Sequence, residues 1–172
     1  MLMNRYMPRS AGYSLLEVLI ALLVFSIGLL GLAGMMVSAV RGNHQAYHHS
    51  QATYVAESIA DGLRANLAAV NAGTYNTGGF IATYAGSACA PGSPCTSAQL
   101  AARDLQSWTA MAANLLPSGA LNVQCEQRAA PLVSADAGFN GVCQILVRWA
   151  EVGDVGQQDE SSLPQFSWVI QP

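Results

Sequence analysis

The chain has 172 residues, of which 52% are hydrophobic and only 10% charged, with seven Lys or Arg against ten Asp or Glu and a formal net charge of −3 at pH 7. None of the basic residues is a lysine. That excludes a P-loop and a Schiff-base nucleophile, and it disfavours a phosphate-rich partner, because counterion release needs clustered Lys and Arg.

Residues 1–12 read as a short basic leader, with Arg5 and Arg9 and a terminal Gly12. This segment is set aside from the fold. Met3 and Met7 leave the start codon open without touching the rest of the chain. Without the leader, five basic residues face ten acidic ones, a net charge of 5 − 10 = −5.

A charge-free run follows from Val18 to Val40. As a helix it measures roughly 35 Å, enough to cross a bilayer core of about 30 Å with some tilt. The order differs from a secretory signal, where the small residue at the cleavage site follows the apolar run. Here Gly12 precedes it, so a cut at Gly12 leaves the apolar helix on the mature chain. Glu17 stands at the head of the run. It is either an interfacial acid in the first helical turn, where the macrodipole favours it, or a functional carboxylate inside an apolar span. Gly28, Gly31 and Gly34 are small positions that let membrane helices approach, and each weakens the helix by about 1 kcal/mol relative to Ala. The arginines before the run place the leader in the cytoplasm and the remainder outside, against a single counter-vote from Arg41.

From Gly42 the chain turns polar without a strong stop. Val55, Ile59, Leu63 and Leu67 recur every four residues beside Ala52, Ala56 and Ala60, and Glu57, Asp61 and Arg64 fall off that stripe. The pattern predicts one helix from Ser14 to about Ala69, amphipathic in its second half. Asn71 to Pro94 reads as loop. Thr96, with Gln99 three residues on, predicts a capping box opening a helix whose stripe is Leu100, Leu105, Trp108, Met111, Ala112 and Leu115, closed by Pro117 and Gly119. Period-two alternation then predicts strands around Leu121–Cys125, Cys143–Trp149 and Phe166–Ile170, an antiparallel meander packed on the long helix. Trp108, Trp149 and Trp168 lie on buried stripes.

The cysteines are Cys89, Cys95, Cys125 and Cys143, and an exported domain keeps disulfides. They allow three connectivities. Cys89 and Cys95 share a loop, and Cys125 and Cys143 lie on neighbouring predicted strands, so those two pairs are expected. His44, His48 and His49 all stand just outside the apolar run. A Ser-His or Cys-His pair in the globular part is therefore excluded. G-x-S-x-G, H-E-x-x-H and C-x-x-C are absent. His44 and His48 lack a third ligand nearby, and Asp154, Asp159 and Glu160 fit no EF-hand and read as a solvated acidic turn. No metal, no cofactor and no catalytic residue is expected.

A basic leader ending in Gly12, an aromatic at Tyr13 and an acid at Glu17, all ahead of a membrane-length helix, resemble the class III signal of type IV prepilins. Phe is usual where this chain has Tyr13. The resemblance implies that a prepilin peptidase cuts after Gly12 and methylates the new amine of Tyr13, and that Glu17 sets register during assembly. RANLAA at 64–69, DLQSW at 104–108, LPSG at 116–119 and the Val-x-Trp-x-Glu pattern at 147–151 resemble the PilV group of minor pilins. Many pilins carry a helix-breaking proline within the apolar half; here the glycines stand in that region.

The resemblance implies an α+β type IV pilin fold: a long N-terminal α-helix, half transmembrane, packed on a small antiparallel β-sheet with an extra α-helix. Residues 13–40 would form the membrane and filament-core half, and 41–172 a periplasmic or extracellular globular domain. It implies an inner-membrane subunit that later joins a surface pilus and is not an enzyme. It would support pilus biogenesis, twitching motility and adhesion. Its partners would be prepilin peptidase, other minor and major pilins and a tip adhesin, with no nucleic acid. The nearest rival is a type II secretion pseudopilin, which shares the head motif. A DNA-uptake pilin should show a basic stripe, which is missing, and a plain membrane-anchored periplasmic domain should keep its leader.

Overall fold

A computed structural model of the chain describes residues 12–87, 89, 92, 94–126, 139–151 and 163–172. The elements in order are α1 (Leu15–Ala65), α2 (Leu67–Asn71), α3 (Ser97–Leu115), β1 (Ala120–Glu126), β2 (Val142–Arg148) and β3 (Gln165–Ile170). The chain divides into two compact units, Met1–His44 and Gln45–Pro172. In the first, α1 carries exposed apolar side chains on every face, from Leu15 through Val40. Its apolar stretch is long enough to cross a membrane, and none of it is buried within the chain. A helix that is hydrophobic all round belongs in a membrane span or a larger core.

In the second unit α1 is one-sided. It buries Ala52, Val55, Ala56, Ile59, Ala60 and Leu63, the i, i+3, i+4 repeat of a core-facing stripe. The expected single helix to Ala69 is corrected by the structure. Asn66 leaves helical geometry (φ −134°, ψ 57°), and α2 starts anew at Leu67. Asn66 is buried, and its Nδ2 donates to the Ser97 carbonyl at 2.9 Å and to the Tyr75 hydroxyl at 3.2 Å. A buried amide must find partners, and here those partners break the helical path. The break rephases the stripe: Leu67 is exposed, and Ala69 and Val70 turn inward in its place.

The capping box of α3 is present in both directions, with the Gln99 amide on the Thr96 hydroxyl and the Thr96 amide on the Gln99 side chain. Trp108 packs on α1 at Gly62, where a Cβ would collide with the indole ring. That contact, and the stacking of Trp108 on Tyr75 at 5.5 Å between centroids, fix α3 against the end of α1.

The sheet runs β1-β2-β3, antiparallel throughout. The register sets Cys125 opposite Cys143, Ile145 opposite Val123 on one side and opposite Trp168 on the other, and Val147 opposite Phe166. Cys125, Val123 and Leu121 of β1, and Cys143, Ile145 and Val147 of β2, point into the core shared with α1 and α3. The outer edge of β1 is closed by the loop that follows α2. Asn76 imitates a strand there. Its Oδ1 accepts the Cys125 amide at 2.7 Å, and its Nδ2 donates to the Cys125 carbonyl at 3.2 Å. The Thr77 amide donates to the Val123 carbonyl, and Ile81 exchanges both backbone bonds with Leu121. Arg148 lies over the Phe80 ring at 4.2 Å.

Candidate functional site

The candidate site is the head of α1. Gly12, Tyr13 and Ser14 are non-helical and exposed, and α1 begins at Leu15. A Cβ built on Gly12 meets nothing within 4 Å. Tyr13 is 83% exposed. The Gly12–Tyr13 peptide bond therefore lies ahead of α1 between two exposed residues.

Ser14 caps the helix. Its Oγ accepts the Glu17 amide at 3.2 Å, and its carbonyl accepts the amides of Glu17 at 3.1 Å and Val18 at 3.3 Å. Ser14 thus satisfies donors that a helix start leaves open. Sequence reasoning passed over this role, although the S-x-x-E spacing of Ser14 and Glu17 is the capping-box signal. Glu17 lies in the first turn, where the positive end of the helix dipole favours a carboxylate. Tyr13 and Glu17 sit one helical turn apart in sequence, on either side of the cap. A cation at the Tyr13 amine would lie at the same helix end as the carboxylate.

Residues 7–33 match the prokaryotic N-terminal methylation motif. The chain carries a prepilin-type head. The motif supports a type IV pilin-like or pseudopilin-type subunit, a class that is generally structural, and it implies processing by a prepilin peptidase and assembly with other pilins. Among the described residues, the one helix long and apolar enough to cross a membrane fits a membrane-anchored pilin. No curated protein and no solved structure matches the chain.

The other sequence candidates fall in several places. Cys89 is bonded to Cys95 (Cα–Cα 5.4 Å) and Cys125 to Cys143 (Cα–Cα 4.0 Å). The second pair joins directly opposed residues of β1 and β2. Among the described residues no group of three His, Cys, Asp or Glu side chains could hold a metal. His49 instead packs edge-on against Phe166 (5.5 Å) and Trp149 (6.1 Å), and His48 sits edge-on to Tyr47. Trp108 and Trp149 are buried; Trp168 is half-buried against the core. Asp154, Asp159 and Glu160 lie outside the described residues.

The structure also shows a buried polar cluster that sequence reasoning missed. The Tyr75 hydroxyl donates to Asp104 Oδ2 at 2.7 Å and accepts from Asn66. Burial, and then the bond to Asp104, raise the Tyr75 phenol above its ordinary value. Each of these residues stands alone in sequence, and no local pattern joins them.

Proposed function

We propose that the chain is a minor type IV pilin of the PilV kind, a structural subunit that primes or joins the pilus and performs no catalysis. Residues 1–12 are the cleaved leader, 13–40 the membrane and filament-core half of the long helix, and 41–172 the exported globular domain. Before assembly the subunit sits in the inner membrane with its leader in the cytoplasm. Afterwards it is part of a surface filament that serves twitching motility and adhesion, with sister pilins and a tip adhesin as neighbours. The observation that carries this reading is the exposed Gly12–Tyr13 pair immediately ahead of a capped helix with a charge-free run from Val18 to Val40, its head lying within the stretch that matches the methylation motif.

Mechanistically, cleavage after Gly12 frees the Tyr13 amine, which is then N-methylated. A bare carboxylate in hydrocarbon is costly, so Glu17 seeks a cation. The amine of a docked neighbour supplies one and fixes the axial register of the incoming helix. The interface is head to tail, so it extends a helical filament without closing. Intact-mass analysis of the protein from its own host tests the processing. The expected chain begins at Tyr13 and carries one added methyl group and two disulfides; a chain that still carries Arg9, or one that has lost the span, overturns the reading. Presence in a sheared-pilus fraction separates a pilin from a type II secretion pseudopilin, which shares the same head.

A further inference from the structure

The two edges of the sheet are treated differently. The β1 edge is closed by Asn76, Thr77 and Ile81, while β3 lies at the other end of the strand order. The hydrogen-bonding phase of β3 follows from the opposite edge. Cys125 bonds outward to Asn76, so the Cys125–Cys143 pair is of the non-hydrogen-bonded kind, and Cys143 bonds toward β3. Alternation then turns the backbone groups of Phe166, Trp168 and Ile170 toward β2, and those of Gln165, Ser167 and Val169 outward. Those three residues are exposed, Val169 at 57%. Proteins usually guard such an edge with charge, a proline or a bulge. The strand Gln-Phe-Ser-Trp-Val-Ile has none of these between Pro164 and Pro172.

We infer that the β3 edge, which has no strand partner among the described residues, pairs antiparallel with the β3 of a second copy of this chain, with Ser167 opposite Ser167 of the second copy. The strand is self-complementary in this register. Gln165 meets Val169, Ser167 meets Ser167, and every outward N–H and C=O of the three finds a partner. On the core side Phe166 comes opposite Trp168, in the closer, non-hydrogen-bonded pairing that favours aromatic contact. No charge lies on the strand, so none is brought against its like. Slipping the register by two residues leaves outward groups unpaired at both ends. A short edge is a weak interface in dilute solution, but anchoring both chains in one membrane raises their effective concentration. The inference rests on strand geometry and not on the minor-pilin reading.

The test is cysteine cross-linking of the full chain in host membranes. Both native cysteine pairs are bonded, so an introduced thiol is alone. Directly opposed residues lie within disulfide reach. Ser167→Cys should give a disulfide dimer at twice the chain mass after mild oxidation, reversed by reductant, at least tenfold above Gln144→Cys, which is exposed on the central strand. Gln165→Cys and Val169→Cys chains, differently tagged and co-expressed, should cross-link with each other and not with themselves. A Ser167→Cys dimer no stronger than the Gln144→Cys control overturns the inference. So does cross-linking of Gln165→Cys to itself, or an adduct of Ser167→Cys with a different protein in place of the dimer.

Discussion

The Tyr75 hydroxyl donates to Asp104 Oδ2 across 2.7 Å, from a wholly buried ring stacked on Trp108. The same hydroxyl accepts from Asn66, at the break between α1 and α2. One side chain therefore ties the end of the long helix to the middle of α3. Tyr75→Phe keeps the stacking and removes the bonds, leaving the Asp104 carboxylate and the Asn66 amide each short of a partner. The expected loss is about 1–3 kcal/mol, read as a lower midpoint in denaturant unfolding of the detergent-solubilised chain. An unchanged midpoint would show that water replaces the hydroxyl at no cost.

The same residue sets a pH dependence. The folded-state pKa of Tyr75 is raised by burial above the ordinary value of 10.0. The folded protein thus holds a proton that the unfolded chain releases, and stability falls with rising pH wherever the folded state binds more protons. The contribution is complete below about pH 10 and is lost as pH climbs from there toward the folded-state value, at up to about 1.4 kcal/mol per pH unit. Stability should hold from about pH 9 to about pH 10 and then decline toward about pH 11.5 with a slope approaching that limit. Tyr75→Phe should flatten it.

Gly62 lets Trp108 lie directly on α1, since a Cβ there would overlap the indole. Gly62→Ala gains helix propensity of about 1 kcal/mol but must displace the ring. Overpacking a core costs about 1–3 kcal/mol, so a net destabilisation is expected. Trp108→Phe should partly rescue it, giving less than the sum of the single effects. Thermal unfolding of the single and double variants measures that coupling.

Cys125 and Cys143 close a loop with a sequence separation of 18. Loop-closure entropy assigns such a link about 3 kcal/mol. The double change Cys125→Ala and Cys143→Ala should lower stability by that order. The corresponding change at Cys89 and Cys95, with a separation of 6, should cost less. A non-reducing peptide map that joins Cys95 to Cys125 would contradict the pairing.

On the pilin reading proposed above, Glu17→Ala should leave membrane insertion and cleavage intact and abolish entry into the filament, because the change keeps the apolar run from Val18 to Val40 and removes only the carboxylate that would pair with a neighbour's amine. Glu17→Asp should be intermediate, keeping the charge and shortening the reach. Ser14→Ala removes only the cap to the Glu17 amide, worth about 1 kcal/mol, and should reduce incorporation less than Glu17→Ala. Sheared filaments and membranes, probed in parallel for this subunit, decide it. Glu17→Ala in filaments at the unaltered chain's level would reduce Glu17 to an interfacial acid.

Several features were legible in the sequence because they depend on neighbours along the chain. Helical and strand periodicity come from how successive side chains project, so the apolar run, the stripe from Ala52 to Leu63, the alternation at Val123 and Ile145, and the Thr96–Gln99 box all name their own elements. The helix break, the closed β1 edge and the Tyr75 cluster were decided only by tertiary structure. Asn66 stops α1 because Ser97, 31 positions away, and Tyr75 claim its amide. The Asn76 side chain takes the place of an edge strand because Cys125, 49 positions away, offers both backbone groups. Read locally, Asn66 is an ordinary polar residue within a helical pattern and Asn76 an ordinary loop residue. A buried amide such as that of Asn66, or a strand edge such as the backbone of Cys125, takes whichever partner the fold brings to it, and sequence spacing does not contain that distance.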